Sequence, residues 1–161
     1  MEKEALLVLN EILAKMNQNE KLIGLGAIVA VIGWIFGLIL TSSWYSASGA
    51  QTLGLLAVVA AVVAVVVLYL KYTNSTMTWP LPLSLILLIL GAVVGVVALI
   101  GLFQAFTYDP CGGLCNGLIG QYVNDSKPVT LYIAALAVLV GGGLMTYAAY
   151  MEWVAAGKPT K

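Results

Sequence analysis

Histidine and arginine do not occur in this chain, and cysteine occurs only twice in its 161 residues. Without histidine there is no imidazole to ligate haem, copper or zinc, and no Ser-His or Cys-His pair can form within one subunit. Without arginine there is no guanidinium fork to clamp a phosphate or a carboxylate. Charge of either sign is also scarce. Charged residues make up 9% of the chain, against about 25% in a soluble domain. Seven lysines balance seven acidic residues, so no basic field exists to attract nucleic acid, and that partner is excluded. These absences lead us to expect no catalytic residue, no cofactor and no metal site.

What fills the chain instead is apolar sequence, at 61% hydrophobic residues and a mean hydropathy of +1.01. No formal charge occurs from Leu22 to Leu70, from Tyr72 to Tyr108, or from Pro128 to Met151. An ionised side chain at the centre of a bilayer costs at least about 2.5–3.5 kcal/mol, so hydrocarbon selects such stretches whereas water does not. The reading is an all-α integral membrane protein with four transmembrane helices in a bundle.

Turn residues divide the runs into spans at about residues 22–40, 53–70, 83–106 and 129–151, together a membrane domain over residues 21–154. Residues 155–161 form a tail. All five prolines fall at span ends or outside them, where a missing backbone donor does no harm. Four spans put Lys3, Lys15, Lys21, Lys71, Lys158 and Lys161 on one side and Lys127 on the other. The excess of lysine marks the cytoplasmic side, so both termini are expected there, in a cell membrane or a membrane-derived shell. Trp44, Trp79 and Trp153 are expected as interface anchors.

Ahead of the spans, residues 1–20 hold a short amphipathic helix. Leu6, Leu9, Ile12, Leu13 and Met16 recur at three-to-four spacing, and Glu11 and Lys15 form an i,i+4 pair on the opposite face. Its polar face mixes signs, which favours docking against protein over binding to anionic lipid.

Chemistry is limited to the cysteines. Cys111-Gly112-Gly113-Leu114-Cys115 lies in the larger outer loop, so an oxidising environment and two flexible glycines predict a disulfide that clips the loop. A membrane thiol oxidoreductase is the functional alternative, but such enzymes use two intervening residues and a second cysteine pair. A small passive channel or transporter acting as a homo-oligomer is another alternative. An ion-coupled carrier needs an ionisable group within the membrane, and none lies inside the expected spans.

The positive signal concerns helix packing. Gly33 and Gly37, and likewise Gly91 and Gly95, form small-xxx-small pairs, Ala57, Ala60, Ala61 and Ala64 line the second span, and Gly141-Gly142-Gly143 centres the fourth. Leu25-Gly26-Ala27-Ile28-Val29-Ala30-Val31 also matches Leu90-Gly91-Ala92-Val93-Val94-Gly95-Val96 at an offset of 65, as in a parallel repeat of two hairpins. Four spans can bury only part of these faces, leaving glycine for a neighbour. The expected role is a non-catalytic structural or accessory subunit of an oligomeric membrane assembly. Its partners are the lipid bilayer and other copies of itself or other membrane subunits.

Overall fold

The computed structural model describes residues 2–40, 50–74, 78–107 and 129–159, and all regular structure among them is helical. There are five helices: α1 (Glu2–Lys15), α2 (Gln18–Leu40), α3 (Ala50–Thr73), α4 (Leu83–Thr107) and α5 (Val129–Ala155). The last four are long and apolar enough to cross a membrane. The protein is therefore an all-α membrane protein of four spans with a short N-terminal helix before them. Cys111, Cys115 and Trp44 lie outside the described residues.

Helix ends follow local chemistry. The first span begins at Gln18 instead of about residue 22 because Asn17 and Glu20 cap it reciprocally: Asn17 Oδ1 accepts from the Glu20 backbone N–H at 2.8 Å, and the Glu20 carboxylate accepts from the Asn17 N–H at 3.0 Å. Pro82 provides the carbonyl that accepts from the N–H groups of Leu85 and Ile86, which starts α4. Beyond α5 the chain reverses through Gly157 at φ +82°; the Gly157 N–H reaches the Val154 carbonyl and the Lys158 N–H reaches the Trp153 carbonyl. This paired arrangement needs a left-handed residue, and glycine takes it without steric cost.

The four spans form an antiparallel ring in which α2 meets α3, α3 meets α4, α4 meets α5, and α5 closes on α2. Small side chains fill the interior. Ala27, Ala30, Ala57, Ala61, Ala64, Ala148 and Ala149 are fully buried, joined by Ile23, Leu87, Val94 and Met145. Large residues point outward instead, as Ile39, Phe36 and Phe103 do. In water this distribution would be unstable. In lipid it is the expected solution, because acyl chains solvate leucine and valine as well as a core does, and association depends on close backbone contact.

α1 lies over one end of the ring. Ile12 is buried and Met16 packs on the core, whereas Leu13 and Leu7 remain exposed. The expected pair on its outer face is present, with Lys15 Nζ 3.1 Å from Glu11 Oε1.

Candidate functional site

Two features of the bundle concentrate its interactions: the seams on either side of α5, and a polar cluster at the end of the bundle that carries α1. The seams involve most of the glycines singled out by sequence. A Cβ built on Gly141 would fall 2.5 Å from the Ala30 backbone nitrogen and 2.6 Å from the Gly26 carbonyl oxygen, so α5 and α2 touch through their backbones there. Gly33 meets Ala137 and Val138 one turn and more away. On the opposite flank, Gly142 faces the backbone of Gly95 at 3.1 Å, and Gly91 faces Met145 and Thr146. The Thr146 hydroxyl lies 2.7 Å from the Gly91 carbonyl across this seam and 2.8 Å from the Gly142 carbonyl of its own helix, so its single hydrogen is shared.

The two flanks correspond. Gly26 and Ala30 of α2 occupy on one side of α5 the places that Gly91 and Gly95 of α4 occupy on the other, with Met145 against both glycines. These are equivalent positions in the sequence match at an offset of 65. Gly37 is also buried. Gly143 is not part of either seam: a Cβ there meets nothing within 4 Å. It opens onto a groove of about 520 Å³ between α4 and α5, bounded by Ala92, Gly95, Leu99, Tyr147 and Tyr150.

At the end carrying α1, sequence reasoning missed a polar cluster. Glu20 is 1% exposed despite its charge. Its Oε1 is paired with Lys71 Nζ from the end of α3, and its Oε2 accepts from the Tyr72 hydroxyl and the Asn17 N–H. The Tyr72 hydroxyl also lies 3.4 Å from the Lys15 carbonyl of α1. A second carboxylate, Glu152 on α5, accepts from Asn17 Nδ2 at 3.0 Å and Asn19 Nδ2 at 3.5 Å. The cluster thus ties the α1–α2 junction to α3 and α5. Burying a carboxylate without partners would cost several kcal/mol, so three donors on one carboxylate are what makes the position tolerable.

The tryptophans divide. Trp79 packs against the buried core. Trp153 donates from Nε1 to the Pro159 carbonyl at 3.1 Å and lies beneath the Lys158 ammonium, 5.9 Å from its ring centroid. Trp34, in the middle of α2, buries its indole N–H without an acceptor among the described residues.

Chemically, the polar cluster joins helices. The Glu20 carboxylate accepts from three donors, and no group of three or more metal-binding side chains occurs among the described residues. No protein-family model, no curated protein and no solved structure matches this chain.

Proposed function

We propose that this protein is a non-catalytic structural subunit of a membrane assembly, and that the α4–α5 groove is where a second copy seats. Gly143 carries the reading. Glycine inside a helix costs about 1 kcal/mol relative to alanine, and at Gly141 and Gly142 close helix contact returns that cost. At Gly143 no contact among the described residues does so. A shallow apolar floor on a lipid-facing surface is what another helix needs to approach closely. The described interior, sealed by alanine and glycine with Glu20 and Ser84 as its buried polar residues, favours a structural role over passage of solute through one protomer.

In this reading both termini face the cytoplasm, and Cys111 and Cys115 form a clip in the outer loop. Cys111→Ser then lowers stability without abolishing any redox activity. The test of assembly is extraction in mild detergent with measurement of mass and cross-linking. The wild-type chain should run as an oligomer, and Gly143→Leu should run as a folded monomer. A wild-type monomer with no co-purifying subunit would overturn the proposal, as would solute flux in liposomes that a single protomer supports.

A further inference from the structure

A second groove has a different character. It holds about 330 Å³ between α2 and α3, is roofed by Ile12, Leu13 and Met16 of α1, and opens beside Lys21, Gly24 and Tyr69. Through Ile28 and Val65 it continues into a further groove of about 250 Å³ that reaches Ile32 and Val62. At 1.5 Å per residue, α2 advances about 17 Å from Lys21 to Ile32. That is roughly half of a 30 Å hydrocarbon core, the depth of one leaflet.

Lys21 sets the chemistry at the mouth. Lys15 is paired with Glu11, Lys71 with Glu20, and Lys158 lies over Trp153. Among the lysines whose side chains are described, Lys21 has no such partner. Lys21 and Tyr69 both line the α1 end of this apolar track, which is one leaflet deep. Gly24 keeps the mouth open, since a Cβ there would meet nothing within 4 Å.

We propose that this track binds one anionic phospholipid, its headgroup phosphate on Lys21 and one acyl chain lying between α2 and α3 as far as Ile32. A second copy of the chain fits less well, because a helix seated there would cover Lys21 and strip water from an unpaired ammonium. A zwitterionic headgroup fits less well too, since its own cation returns positive charge to the site. α1 then acts as a lid over the bound lipid, whatever subunit occupies the separate groove at Gly143.

Native mass spectrometry of the full-length protein, released from micelles holding equal amounts of phosphatidylglycerol and phosphatidylcholine with the same acyl chains, tests this. The wild-type chain should retain phosphatidylglycerol about fivefold over phosphatidylcholine, the preference that one lysine near a charged surface supplies. Lys21→Gln should bring the ratio to about one, Lys21→Arg should keep it, and Lys158→Gln should leave it unchanged. Gly24→Leu should abolish retention of the bound lipid. Equal retention of both lipids by the wild-type chain overturns the proposal, as does a preference that survives Lys21→Gln. A dimer that dissociates on Gly24→Leu would give the groove to protein and overturn it as well.

Discussion

At Gly141 one methyl group decides whether α2 and α5 can meet, because the atoms it would strike are backbone and cannot rotate away. Gly141→Ala should therefore lower resistance to SDS unfolding by about 1–3 kcal/mol, the usual cost of overpacking. Two residues later the same substitution has the opposite sign. Gly143→Ala meets open space and should stabilise the isolated bundle by up to about 1 kcal/mol through helix propensity alone. The same titration checks both. Trp34 offers a third test at this scale: its buried N–H has no acceptor among the described residues, so Trp34→Phe should raise stability by about 1 kcal/mol. Any loss of stability would mean the indole packs better than its missing bond costs.

Among the helices, the polar cluster is where individual elements are joined. Lys71→Met leaves the buried Glu20 carboxylate without its cation and should cost about 3 kcal/mol, the low end for a broken buried pair because Lys71 itself is 35% exposed. Adding Glu20→Met should recover most of that loss, and an SDS titration of the single and double variants measures the coupling. Asn17→Ala removes the cap of α2 and the bond to Glu152 together. The cluster was only partly legible in sequence. Asn17 and Glu20, three residues apart, carry a local capping signal that could have been read. Glu20, Lys71 and Glu152 are brought together by the fold across most of the chain, and no periodicity within one helix encodes that meeting. An ionisable residue near a span end reads as a water-facing flank until a partner from another helix is seen beside it.

For the whole molecule, the spans were legible because hydrocarbon excludes charge, and the four stretches predicted from uncharged runs coincide with α2 to α5 apart from a few residues at their ends. The glycine faces were legible as faces, but not as to which neighbour each one meets. Consecutive residues of a helix point about 100° apart, so Gly141, Gly142 and Gly143 serve α2, α4 and the outer groove in turn. Sequence alone cannot say which of the three directions is occupied. Orientation yields its own prediction: tags placed before Met1 and after Lys161 should both resist protease added outside intact cells; cleavage of both would reverse the assignment, and cleavage of one alone would contradict an even number of spans. One consequence of the ring concerns synthesis. The helix on which α2 and α4 both close is the last of the four spans to be synthesised, so their glycine faces must wait in the membrane for α5. A nascent chain stopped before Val129 would hold three spans without either of the tightest seams, and would be a ready substrate for membrane quality control.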